Sequence, residues 1–273
     1  MERFREIEKS IIKRFRKDIW SKFVKGIKDY ELIQEGDKIA VCISGGKDSF
    51  LLAKCLQELR NHGIFKFDLE FIVMDPGYKE LTKKQIIDNA MLLNIPISVF
   101  ETDVFAVAHK LNEKSPCYMC ARMRRGHLYS KAQELGCNKI ALGHHFDDVI
   151  ETIMLNVMYG GEFKTMMPKV RSQNFNGMEL IRPLYLVKED SIVSWLNYNL
   201  LEFSNCACAF SSKDESSSKR KEIKNLISTF RKTNKFIEYN IFKSAENVNL
   251  KTVISYSNGR TTTHFLDEYD ELN

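Results

Sequence analysis

Lys38-Ile-Ala-Val-Cys-Ile-Ser44-Gly45-Gly46-Lys47-Asp48-Ser49, followed by Phe50-Leu51-Leu52-Ala53-Lys54-Cys55-Leu56, decides the fold. It reads as a buried strand, a tight Ser-Gly-Gly turn, and a helix with apolar residues at 51, 52, 55, 56 and 59. Two glycines let the backbone curl so that consecutive N–H groups converge, and the helix adds its positive N-terminal end. Such a turn binds phosphate. Lys47 adds a cation, and Ser44 and Ser49 add hydroxyls. The spacing differs from the Gly-x-x-x-x-Gly-Lys-Ser/Thr loop of the NTPases that cleave the γ-phosphate.

Working outward, Phe67–Met74 is strand-like and stops at Asp75-Pro76-Gly77, and residues 79–94 read as a helix. Pro96–Phe100 is a further strand, and Cys137–Leu142 another, reached through a helix containing Met123, Leu128, Ala132 and Leu135. Strands alternating with helices imply an α/β fold, a parallel sheet with helices on both faces and ligands at the carboxyl ends of the strands. Ser44–Ser49, Asp75 and Gly143–Asp148 all follow strand ends, which marks one active-site edge. Before this domain, Phe4, Ile7, Ile11, Phe15, Ile19, Phe23 and Ile27 predict one long amphipathic helix over 1–30. Its outer face carries Arg5, Lys9, Lys13, Arg16, Lys17, Lys22 and Lys25, a solvated face or a surface for RNA phosphates. Past residue 160 the alternation weakens: a loop to Lys169, a short extended segment at Met178–Leu184, and helices at 189–201 and Lys219–Thr233. The end is expected to be poorly ordered or a small flap around Asn258-Gly259. The expected organisation is an N-terminal amphipathic helix (1–35), an α/β domain (36–200) and a small helical C-terminal extension (201–273).

The 273 residues are 44% hydrophobic and 28% charged, enough for a core and against wholesale disorder. A net charge of +5 is compatible with a nucleic-acid partner without demonstrating one. Met1-Glu-Arg-Phe-Arg-Glu lacks an apolar core for an export signal, and no apolar run approaches the ~18 residues of a membrane span, so a cytoplasmic chain is expected. Seven cysteines, two as Cys117-x-x-Cys120 and two as Cys206-x-Cys208, then favour metal or redox chemistry over disulfides.

Gly143-His144-His145-Phe146-Asp147-Asp148 follows a strand and opens a helix. Asp147 and Asp148 suit the helix dipole; beside a phosphate loop, one can instead hold Mg²⁺ through water, with a His orienting a reacting group. Asp48 and Asp75 are further candidates for that carboxylate set. Cys117 and Cys120 can reach one metal, and Arg122, Arg124 and Arg125 favour their thiolates. With Cys206 and Cys208, four thiolates would close a zinc site, whereas three would anchor a [4Fe-4S] cluster with one open iron. Spacing does not separate these. Cys42, Cys55 and Cys137 read as small buried hydrophobes.

The Ser44-Gly-Gly-Lys-Asp-Ser49 loop resembles the SGGxDS loop of the PP-loop ATP pyrophosphatases, which hold the pyrophosphate of ATP and transfer AMP to an oxygen. Leu142-Gly-His-His-Phe-Asp-Asp-Val, Leu155-Asn156, Tyr159-Gly160-Gly161 and Pro168-Lys169 resemble the bacterial tRNA 2-thiocytidine synthetase family. So do Cys117-x-x-Cys120 with Arg122-x-Arg124-Arg125-Gly126, and Ile181-Arg182-Pro183-Leu184. The resemblance covers about residues 36–230. It implies an enzyme using ATP and Mg²⁺, carrying a [4Fe-4S] cluster on three cysteines, and thiolating the cytidine at tRNA position 32. By motif match, Ser44, Gly45, Gly46, Lys47, Asp48, Ser49, Asp75, Gly143 and His144 would bind ATP. Asp48, Arg124, Asp147 and Asp148 would serve catalysis, and Cys117, Cys120 and Cys208 would hold the cluster, with Cys206 the alternative third ligand. The family shows Cys-x-x-Cys where this chain has Cys206-x-Cys208. The implied partners are tRNA, contacted also by Lys164 and Lys169, and a cysteine desulfurase or other sulfide source; a homodimer is a further expectation. Rival readings are lysidine or 2-thiouridine formation, or a zinc-bearing RNA-binding module without turnover.

Overall fold

The computed structural model describes residues 2–63, 65–104, 116–203, 215–267 and 269, with the side chains of 116–121 and 215–218 outside the description. A six-stranded sheet organises the chain, with β1 (Lys38–Ile43), β2 (Asp68–Asp75), β3 (Ile97–Glu101), β4 (Lys139–Ala141), β5 (Lys169–Arg171) and β6 (Glu179–Ile181) in the order β3-β2-β1-β4-β6-β5. All neighbours are parallel except β5, which runs antiparallel to β6 at the edge. The α/β fold read from the sequence is therefore the one formed. β5 lies where a loop was expected; three residues ending a glycine-bearing stretch carry no alternation long enough to read.

β1 shows why the strand is a continuous apolar run. Ile39, Val41 and Ile43 face one core, and Ala40 and Cys42 face the other. The first core packs β1 and β2 against α3 (Lys47–His62), α4 (Glu80–Leu92) and α7 (Glu189–Tyr198). The second lies under α5 (Pro116–Glu134), through Tyr129 and Ala132. A third joins α6 (Phe146–Leu155), α8 (Glu215–Thr233) and α9 (Ile237–Ser244) through Val149, Ile150, Ile223, Ile227 and Phe242. Burial on both faces produces the Val/Ile/Leu-rich strands of a covered parallel sheet.

The N-terminal stretch departs from the single helix expected. It forms α1 (Arg3–Ile12), a π-helical segment Arg16–Trp20, and α2 (Ser21–Asp29). Ile7, Ile11, Phe15, Ile19, Phe23 and Ile27 recur every four residues, and all are buried. An α-helix turns about 100° per residue, so each four-residue step drifts by about 40° and five steps by about 200°. A continuous helix would carry Ile27 to the face opposite Ile7. Wider hydrogen-bonded turns, such as Phe15 N–H to Ser10 O at 2.9 Å, cancel that drift. The basic outer face stays exposed, as expected.

A buried Lys139 ammonium, 2.7 Å from Asp37 and 3.0 Å from Leu32 O, fixes the linker before β1 to β4. A hairpin of β7 (Ser255–Ser257) and β8 (Thr262–His264) turns at Asn258-Gly259, the flap position. No helix among the described residues is long and apolar enough to cross a membrane.

Candidate active site

β1 ends at Ile43, and the chain turns through Ser44, Gly45 and Gly46 into α3. Gly45 adopts φ +90°, a left-handed conformation costly for any residue with a Cβ. Ser49 Oγ staples the turn, accepting the Ser44 N–H at 3.2 Å and donating to Gly46 O at 2.9 Å. The first N–H groups of α3 have no acceptor within the helix and stay available to an anion. The turn is thus held in shape by one of its own serines.

Beside it, β4 leads through Gly143 to α6. A Cβ on Gly143 would stand 3.0 Å from Asp48 C and Ser49 N, so the two loops meet backbone to backbone. Asp148 caps α6, accepting the His145 N–H at 3.0 Å. A cavity of about 360 Å³ opens between the loops, lined by Ser44, Asp48, Ser49, Gly143, His144 and Asp148. Arg124 and Arg125 of α5 form its opposite wall, and Cys42 and Met74 also line it.

Five residues expected at the site do not line this cavity: Gly45, Gly46 and Lys47 of the turn itself, and Asp75 and Asp147. Asp147 turns into the seam between α6 and α7, where its carboxylate accepts the Glu189 N–H at 2.7 Å; burial raises its pKa. Asp75 caps the turn after β2, accepting the Gly77 and Tyr78 N–H groups at 2.9 and 2.7 Å and pairing with Lys83 at 3.2 Å. Burial opposes its ionisation, but those partners hold its pKa below the ordinary carboxylate value. Lys47 is held between Asp48 at 3.3 Å and Glu189 at 3.2 Å. Lys164 pairs with Glu162, and Lys169 donates to Glu31 O at 2.8 Å.

Asp48 Oδ1 is buried and accepts no hydrogen bond, although Lys47 Nζ lies 3.3 Å away. Burial, then the Arg182 charge, lowers the His144 pKa to about 4, and its buried Nδ1 has no partner. At neutral pH this imidazole is uncharged. Burial works against the Asp148 carboxylate, but His145, His144 and Arg220 hold its pKa below the usual value. Sequence reading assigned no site role to three contributors, Arg182, Arg220 and Glu189. Arg182 is buried, donates to Met167 O, and is pushed to about 10 by burial and by Arg125. Arg220 of α8 lies 3.8 Å from Asp148 and 3.0 Å from Glu151. Glu189 faces Lys47. Only Arg182, inside the Ile181–Leu184 motif, carried a usable signal.

The unfolded chain takes up the His144 proton near its usual 6.5, the folded chain only near 4. Acidification between these values therefore favours unfolding, and the stability present above pH 6.5 is lost as pH falls toward 4. Subtracting the urea-midpoint pH profile of His144→Gln from that of the wild type should leave a component on the order of 3 kcal/mol in this window.

Cys117 and Cys120 occupy the first turns of α5, three residues apart, and Arg124 and Leu128 follow along the same helical row to the cavity wall. The two cysteine side chains, and Cys206 and Cys208 altogether, lie outside the described residues. Among the described residues, no group of three or more His, Cys, Asp or Glu is gathered to hold a metal. Cys42, Cys55 and Cys137 are free and buried, and burial pushes the Cys42 thiol up to about 12 and Cys137 to about 11.

The PP-loop domain family matches residues 15–228. A tRNA-cytidine(32) 2-sulfurtransferase of Geotalea uraniireducens (strain Rf4) is 36% identical over 227 residues, covering 82% of this chain and 88% of the relative. One from Coxiella burnetii (strain Dugway 5J108-111) is 34% identical over 244 residues, covering 86% and 91%. Among solved structures, the U34-tRNA thiolase NcsA from Methanococcus maripaludis with its [4Fe-4S] cluster shares the fold, with a TM-score of 0.66 and 23% identity over 83% of this chain and 76% of that one. On these matches the chain belongs to the PP-loop family, within its tRNA-cytidine(32) 2-sulfurtransferase branch.

Proposed function

We propose that the protein is an ATP-dependent tRNA thiolase of the cytoplasm that converts cytidine 32 to 2-thiocytidine. One observation carries the reading: the Ser44–Ser49 anion cradle, the Gly143–Asp148 loop, and the helix that begins with Cys117-x-x-Cys120 converge on one cavity. The relatives' names support the target base and the reaction class.

In this reading the pyrophosphate of ATP lies on the N–H groups after Gly45, against Lys47. The cytidine 2-carbonyl oxygen bonds to the α-phosphorus as the α,β-bridging bond breaks and pyrophosphate leaves. A sulfur nucleophile then bonds to C2, the C2–O bond breaks, and AMP departs with that oxygen. Adenylation is what makes the oxygen a leaving group. Arg124 and Arg125 balance the anionic adenylate, and neutral His144 offers an uncharged hydrogen-bond partner beside it. Asp48, whose buried Oδ1 lacks a hydrogen bond, would be the carboxylate to hold a Mg²⁺, an ion that needs no dedicated protein cage. Such an ion would neutralise phosphate charge. Cys117, Cys120 and Cys208 (or Cys206) are a donor set suited to a [4Fe-4S] cluster, which supplies an iron able to carry sulfide. The base has to be splayed out of its loop to reach the cavity.

Nucleoside mass spectrometry of tRNA from cells lacking this protein should show 2-thiocytidine absent and cytidine 32 unmodified, with the thionucleoside restored by the intact chain. Lost lysidine or 2-thiouridine, or no change, would refute the assignment.

A further inference from the structure

Three basic residues of α8, at 220, 224 and 231, reach acids of α6 and α7, of which Asp148 lines the cavity. Arg220 takes Glu151 and Asp148, Lys224 takes Glu189, and Arg231 takes Asp190 at 3.1 Å. Spacings of four and seven put them on one helical face. Glu189 belongs to both sides of this seam: one oxygen holds Lys47 at the cradle, 3.2 Å away, and the other holds Lys224. Its position is fixed from behind, because its N–H donates to Asp147 at 2.7 Å. Lys47 and Glu189 are each only about a quarter exposed, so solvent screens the pair weakly. Lys47, the cation suited to a polyphosphate, is therefore engaged with a carboxylate.

We infer that Glu189 is a positioning residue for Lys47: it holds the ammonium at the cradle until the triphosphate displaces it, and it thereby ties nucleotide occupancy to helix α8. This rests on reading the cavity as an ATP site. A polyphosphate arriving at Lys47 attracts the ammonium and repels the carboxylate beside it, so Lys47 changes partner and Glu189 passes wholly to Lys224. Burial works against the Glu189 charge, yet Lys224 and Lys47 hold its carboxyl down to a pKa of about 2, so the rival charge is present beside Lys47 at neutral pH. α8 follows in sequence the segment that carries Cys206 and Cys208. A change of partner at Glu189 is thus felt by the helix adjoining the second cysteine pair.

The competition has a sign. Glu189→Gln keeps the side-chain shape and removes the rival charge, so the full-length variant should bind ATP at least about threefold more tightly by calorimetry. Inorganic pyrophosphate should show the same gain. In a Lys47→Met background the gain should vanish, because there is no ammonium left to compete for. Lys224→Met leaves Glu189 to Lys47 alone and should weaken ATP binding. A Glu189 that merely supports α7 and α8 predicts the reverse: Glu189→Gln would bind ATP equally or more weakly, or gain equally with Lys47→Met present, and either result overturns the inference. Thermal melting of each variant without nucleotide separates lost folding from lost binding. If the folded wild type binds neither ATP nor pyrophosphate, the ATP reading falls and this inference with it, a result distinct from normal wild-type binding without the Glu189→Gln gain.

Discussion

Cys117→Ser is expected to cut tRNA thiolation on the order of a hundredfold or more while leaving ATP affinity within about twofold. The split follows from where the helix α5 contributes. Its later turns supply Arg124, Arg125 and Leu128 to the cavity wall, whereas the phosphate cradle is built from the start of α3 and the Gly143 loop. In the proposed function, a cysteine in the first turn of α5 is therefore not expected to hold pyrophosphate. Iron and acid-labile sulfide should fall with activity in protein purified without oxygen, since serine is a poor replacement for a thiolate ligand. Undiminished thiolation by Cys117→Ser would remove the cysteine assignment, and a simultaneous loss of ATP binding would show that α5 and the cradle are less separable than their contacts imply.

The second large effect belongs to a residue with no side chain. Gly143→Ala places a methyl 3.0 Å from Asp48 C and Ser49 N and 3.2 Å from Asp48 O, all backbone atoms that cannot swing away. The two loops must part, at a cost of about 1–3 kcal/mol. Because that strain falls on the Ser44–Ser49 turn, the proposed phosphate site, ATP binding should weaken by roughly tenfold, accompanied by a lower melting temperature. Gly126→Ala is the matching control: an added Cβ meets nothing within 4 Å, and Ala favours the helix it sits in. Equal ATP affinities for the two variants would argue that the loops do not need their close approach.

Why some of this was legible and some was not comes down to range. The Ser44–Ser49 turn carries its own instructions, since the glycines, the helix start and the hydroxyls are neighbours in sequence. The strand–helix alternation placed the Gly143 loop beside it for the same reason. Asp147 and Asp148 could not be told apart by their types, but one residue of helix is about 100° of rotation, which sends Asp148 to the cavity and Asp147 to the α7 seam. Glu189 and Lys47 are 142 positions apart, and nothing local to either announces the other. Arg220 likewise acquires its meaning only when α8 packs against α6. Arg182 sat within a quoted motif, yet only its burial separates it from an ordinary surface arginine. The four-residue recurrence in the first thirty residues was present as spacing; its departure from 3.6 was the sign of wider turns.

That recurrence also means the opening segment is no appendage. Six side chains from Ile7 to Ile27 share a core with Phe50, Leu51, Leu52 and Trp195, and each contributes roughly 1.5–3 kcal/mol by leaving water. A chain begun at Asp37 would retain the whole Ser44–Ser49 turn yet leave one side of α3 unroofed, so the shape of that turn is leased from a stretch outside it.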